Sequence, residues 1–132
     1  MIKTMDLRSD KPGLQIRILA TRTTDGVVMQ LLGGDKPHIG ATVISHPRPS
    51  LTGGSGISCN SIVIPELGHK EDQLAKPLAE KIATTLNCTV VLVAGIHVDQ
   101  ASAEEIENII KTCTHLVDKF IYLHLNPATP TA

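Results

Sequence analysis

The chain has 132 residues, 42% of them apolar and 19% charged, a length and balance that suit one domain with a sizeable core. Twelve Lys and Arg against thirteen Asp and Glu leave a net charge of -1, which supplies no basic field for a phosphate backbone. One Phe, one Tyr and no Trp cannot build a base-stacking platform, so the composition argues against nucleic acid as a partner.

Residues 1–13 are polar and are read as a frayed terminus. From 14 to 23, Leu14, Ile16, Ile18 and Ala20 alternate with Gln15, Arg17, Leu19 and Thr21, the period of a half-buried strand. Thr24-Asp25-Gly26 then supplies a turn and 27–32 a return strand, which makes a hairpin. After Gly33-Gly34-Asp35-Lys36-Pro37-His38-Ile39-Gly40, residues 41–45 read as a third strand ended by His46-Pro47-Arg48-Pro49. A Gly- and Ser-rich loop leads to a fourth strand at 58–64.

From Lys70 the pattern turns helical. Leu74, Leu78, Ile82 and Leu86 recur every four residues with Ala75, Ala79 and Ala83 beside them, and Pro77 predicts a kink. Residues 88–96 form a nearly continuous apolar run, the pattern of a central strand covered on both faces. Ser102 with Glu105 makes a capping box for a second helix carried by Ile106, Ile109, Ile110, Cys113, Leu116, Val117 and Phe120. Residues 126–132 read as a second frayed terminus.

The sum is an α/β (α+β) fold in a single domain over 1–132. It has a single mixed, mostly antiparallel sheet of five or more strands with two packed helices. Leu74, Leu78, Ile82, Ile106, Ile110 and Val117 are expected to be buried, and a homodimer is expected to cover a sheet face or edge left open. No apolar run approaches the ~20 residues of a membrane span, and a cytoplasmic protein is expected. Cys59, Cys88 and Cys113, widely spaced and without a C-x-x-C pair, read as buried thiols rather than disulfides, zinc ligands or nucleophiles.

Three polar segments hold most of the chemically capable residues, and each follows a strand: Asp35 to His38, His69-Lys70-Glu71-Asp72, and His97-Val98-Asp99. If the first four strands are consecutive antiparallel neighbours, parity puts all three segments at one end of the sheet, where both helices begin. Helix N-termini, Lys70, three histidines and the amides of Gly33-Gly34 would then suit an anion. The same atoms permit a metal-dependent hydrolase or lyase, with His38, His69 and His97 as ligands and Asp99 or Glu71 as fourth ligand or base. A purely structural reading also stands: His38 shapes a turn, His69 caps a helix, and His97 to Asp99 satisfies loop amides, leaving a non-catalytic assembly module.

Gly33-Gly34-Asp35-Lys36-Pro37-His38-Ile39-Gly40-Ala41, with Gly68-His69-Lys70-Glu71-Asp72 and Gly95-Ile96-His97-Val98-Asp99, resembles a small family typified by an accessory component of gallate decarboxylase and described as prenylated-flavin chaperone-like. The resemblance implies a small accessory protein that handles or delivers prenylated FMN or FMN for a prenylated-flavin-dependent aryl-acid decarboxylase. The cofactor-binding residues expected on the two readings together are Gly33, Gly34, Asp35, His38, His69, Lys70, His97 and Asp99.

Overall fold

The computed structural model describes residues 2–66 and 71–127. In chain order the elements are β1 (Lys3–Arg8), β2 (Ile16–Arg22), β3 (Gly26–Gly34), β4 (Ala41–Pro49), β5 (Ile57–Pro65), α1 (Asp72–Leu86), β6 (Thr89–His97) and α2 (Ala103–Leu125). The strands form one six-stranded sheet in the order β1-β2-β3-β6-β4-β5. Only β3 and β6 run parallel; the other neighbours are antiparallel. This is the expected mixed α+β fold with two packed helices.

Three strand assignments are corrected. The stretch read as a frayed N-terminus contains β1, whose Met5 and Leu7 turn toward the core while Asp6 takes both Nε and Nη2 of Arg17 at 2.8 and 2.5 Å. An edge strand tolerates such a polar sequence because one side of it faces water. Strand β4 does not stop at His46. It runs on to Pro49 along β5, but pairs with β6 only as far as Ser45, and pairing on one side alone is the setting in which prolines are accepted. The first strands are not all consecutive neighbours either, because β6 is inserted between β3 and β4. Its apolar run gains most from a central position.

The strand alternation sorts the side chains. Ile16, Ile18, Ala20, Val27, Met29, Leu31, Val43, Val90 and Leu92 are buried on one face, where α1 packs over β4, β5 and β6 and α2 over β1 and β2. Phe120 of α2 and Ile82 of α1 are fully buried in this core. The opposite face carries Leu19, Val28, Leu32, Ile44, Ile62, Ile64, Val91 and Val93, all partly or largely exposed. Among the described residues the expectation that β6 is covered on both faces therefore fails, because both helices lie on one side.

The helix faces also need correction. Leu78, Ile82 and Val117 are buried as expected, but Leu74 is half-buried, and Ile106 and Ile110 are 49% and 48% exposed. Helix α1 begins at Asp72 with Pro77 inside it, where the ring replaces the bond that a nitrogen there would make to the Gln73 carbonyl.

Candidate functional site

Strands β3, β5 and β6 all point the same way, so their C-terminal ends and the starts of both helices share one end of the sheet. Parity alone placed these ends correctly, despite the inserted β6. Because β6 separates β3 from β4, the connection 35–40 must cross its end. It does so over Gly95: the His38 amide donates to the Gly95 carbonyl at 3.4 Å, and a Cβ on Gly95 would fall on the His38 carbonyl oxygen. The Asp35 and Lys36 amides donate to the His97 carbonyl at 2.6 and 3.3 Å, and the Asp99 amide donates to Asp35 Oδ2 at 3.0 Å. The loops after β3 and β6 are thus stitched into one surface.

Two histidine–carboxylate pairs stand on that surface, their rings 6.1 Å apart and nearly perpendicular. His38 Nδ1 lies 2.9 Å from the Lys36 carbonyl and Nε2 2.6 Å from Glu71 Oε1. A carbonyl only accepts, so Nδ1 is the donor in the first contact, and the short second contact engages Nε2 with the Glu71 carboxyl. With both nitrogens engaged, this ring has no lone pair turned toward a metal. His97 Nε2 meets Asp99 Oδ1 at 2.9 Å, and Lys36 Nζ approaches the same oxygen at 3.5 Å. The hydrogen bond from His97 chiefly, and the Lys36 charge after it, hold the Asp99 carboxyl below the ordinary carboxylate range.

Behind these pairs a cleft of about 650 Å³ opens between the N-terminal halves of α1 and α2. Its walls are aliphatic, from Leu74 and Pro77 on α1, Val98 in the loop after β6, and Ile106, Ile109 and Ile110 on α2, and Glu71 and His97 form its polar end. The volume lies within the ~300 to 1,000 Å³ of small-molecule sites. A broad ring system could lie between these aliphatic walls, while any charged tail would meet the histidines. Among the described residues, His97 is the one aromatic side chain that lines the cleft.

The structure brings together Asp35, His38, His97 and Asp99 and adds Lys36 and Glu71. His69 and Lys70 lie outside the described residues. Gly33 and Gly34 end β3: Gly33 sits opposite Ile16 and Ile96, and the Gly34 amide, at φ +79, donates to the Gln15 carbonyl at 2.9 Å. Nor is this end simply electropositive. Among the described residues Asp35, Glu71 and Asp99 stand against Lys36, His38 and His97, and the start of α2 is closed by the Ser102–Glu105 capping box. Among the described residues no three His, Cys, Asp or Glu side chains converge as metal ligands. Burial raises all three thiols, that of Cys113 to about 12, which suits packing rather than nucleophilic attack.

Sequence reasoning missed the cleft. Ile106, Ile109 and Ile110 continue the apolar stripe of α2 without interruption, and a stripe does not say whether it meets a core or a cavity. Glu71 entered only as a possible ligand or base, and its pairing with His38 depends on a crossing of β6 that strand patterns do not reveal.

A family described as the prenylated flavin chaperone LpdD-like domain matches residues 10–124. No curated protein sequence matches at a significant level. Among solved structures, one titled as a novel chaperone complex for yeast 20S proteasome assembly is similar in fold, with a TM-score of 0.57 at 15% identity, covering 91% of this chain and 98% of the other.

Proposed function

We propose that this chain, which belongs to the prenylated flavin chaperone LpdD-like family, holds a prenylated flavin mononucleotide in the cleft between α1 and α2 for transfer to a partner enzyme. The family gives a chaperone-like accessory role. The observation that carries the cofactor reading is the aliphatic cleft with a histidine at its mouth. Leu74, Ile106 and Ile110 offer the ring system apolar surface that the chain otherwise leaves in water, and apolar contact of this kind contributes about 25 cal/mol per Å² removed from solvent. The phosphate is assigned to the mouth, near His97 and Lys36, with Lys70 as a further partner from the sequence. The partner enzyme is proposed to be a prenylated-flavin-dependent aryl-acid decarboxylase, the class that the sequence resemblance implies.

Calorimetry with FMN, prenylated FMN and riboflavin tests this reading. Ile110→Asp should weaken all three, because it spoils the shared apolar wall. Lys70→Glu should weaken the two phosphate-bearing ligands far more than riboflavin. Absence of binding by any of the three would overturn the cofactor assignment.

The open sheet face supports a homodimer. Six strands ~4.8 Å apart and about five residues deep present roughly 500 Å² in projection, and the accessible area exceeds the projection. This approaches the ~800 Å² per partner of a stable interface. With Ile62 and Ile64 each 57% exposed and Val28 46% exposed, a second copy laid face to face is the proposed cover. Sedimentation should give a dimer that Val28→Arg with Ile62→Arg dissociates, and a wild-type monomer at high micromolar concentration would refute it.

A further inference from the structure

On the side of α2 away from the cleft, a second depression of about 480 Å³ lies between the helix and the loop joining β1 to β2. Arg8 lines it from the end of β1, Lys11 from the loop, and Lys111, His115 and Lys119 from the helix, with Asp10 as its lining carboxylate. Four of the chain's twelve Lys and Arg therefore gather in one groove of a protein whose net charge is -1. Arg8 is 3.9 Å from Asp6 and Lys111 is 3.2 Å from Glu107. Among the described residues Lys11 and Lys119 have no ion pair, and neither has Asp10, so the groove keeps a net positive charge.

We infer that this groove docks an extended acidic segment of a partner protein, independently of whether the cleft holds a flavin. The spacing points to that occupant. Lys111, His115 and Lys119 follow one another at four-residue intervals, which is about 6 Å of rise per step along one helix face. An extended peptide presents side chains on one edge every second residue, about 6.6 Å apart, so alternate carboxylates would meet successive basic groups. The aliphatic stems of the lysines, with Pro12 and Leu116 in the lining, give the peptide backbone an apolar floor. A nucleic acid strand fits less well, because no Phe, Tyr or Trp lines the groove to stack a base.

The test uses the full chain and three fluorescent probes: an eight-residue peptide alternating Glu and Thr, a peptide of the same composition with its Glu residues in one block, and a ten-nucleotide single-stranded RNA. Fluorescence anisotropy at low salt should show the alternating peptide binding best. Lys111→Glu with Lys119→Glu should weaken it about tenfold or more, whereas Lys76→Glu with Lys81→Glu, exposed cations on α1, should leave it unchanged. Thermal melts should show both variants folded, each with a small loss, since all four positions face solvent and the pairs given up, Lys111 with Glu107, Lys76 with Glu80 and Lys81 with Asp118, are at the surface. Equal affinity for both peptides, loss with the α1 variant as great as with the α2 variant, tighter binding of the RNA, or no binding of any probe would each overturn the inference.

Discussion

The two halves of α2 carry the same apolar spacing and meet different surroundings. In the C-terminal half, Cys113, Leu116, Val117, Phe120 and Ile121 are all buried against the sheet. In the N-terminal half, Ile106 and Ile110 continue the stripe but remain about half exposed and wall the cleft. One helix thus anchors the fold at one end and shapes a ligand-sized space at the other. The comparison teaches that an amphipathic period fixes which face is apolar, not how much of that face meets the core.

The largest expected effect lies in the buried half. Phe120→Ala removes a fully buried ring and should cost about 3 to 5 kcal/mol, read as the free energy of urea unfolding. A loss below about 1 kcal/mol would mean that the C-terminal half is no more anchored than the N-terminal half, and the contrast would collapse.

Next in size is Gly95→Ala, at the end of the sheet beside the cleft. The new methyl group would strike the His38 carbonyl, and relieving the clash displaces the 35–40 crossing that holds His38 against Glu71. Overpacking of this kind costs about 1 to 3 kcal/mol. If the crossing is set as described, this variant should also shift the His38 ring signals in an NMR spectrum at fixed pH, and Phe120→Ala, while folded, should leave them in place.

The fold was largely legible because its signals are local or combinatorial. Alternation at Ile16, Ile18 and Ala20, the turn at Gly26, and the capping box at Ser102 each depend on a few neighbouring residues, and parity then placed the ends of β3, β5 and β6 together without knowledge of strand order. What was not legible depends on partners distant in sequence. The insertion of β6 is decided by which strands compete for the centre, and the exposure of Ile106 by how far α1 stands from α2. At the site, His38, His97, Asp35 and Asp99 could be grouped from the chain. That the Gly34 amide is taken by the Gln15 carbonyl just before β2 was not legible, because it depends on the β2–β3 register, and net charge concealed the groove at Lys111 by averaging it with acids elsewhere.

Smaller effects are expected where α2 walls the cleft. Ile106→Ala and Ile110→Ala each remove side chains already about half in water, so each should lower stability by about 1 kcal/mol or less. On the proposed function, their loss of flavin affinity should be the more evident change. A cost approaching that of Phe120→Ala would show that these residues are covered in solution, and sedimentation of the same samples would tell whether a second copy supplies the cover.

The smallest effect concerns the loop that sets where the exposed half of α2 begins. Asp99 accepts from His97 and lies near Lys36, and these contacts hold its carboxyl below the ordinary value. A carboxyl more acidic in the folded chain than in the unfolded one stabilises the fold at neutral pH, where it is ionised in both states. That contribution fades as pH falls below the ordinary carboxylate value toward the lower folded value, because the unfolded chain takes up the proton first. Asp99→Asn should therefore lower stability slightly at pH 7 and reduce the acid-side slope of stability below about pH 5. Because the Asp99 side chain is 56% exposed, solvent and salt screen the pair, and the difference should shrink further in ~1 M salt. A slope unchanged by the substitution would mean that the Asp99 side-chain contacts are not maintained in solution, and the loop would then be held to the 35–38 segment by the bonds at the His97 carbonyl and from the Asp99 amide to Asp35.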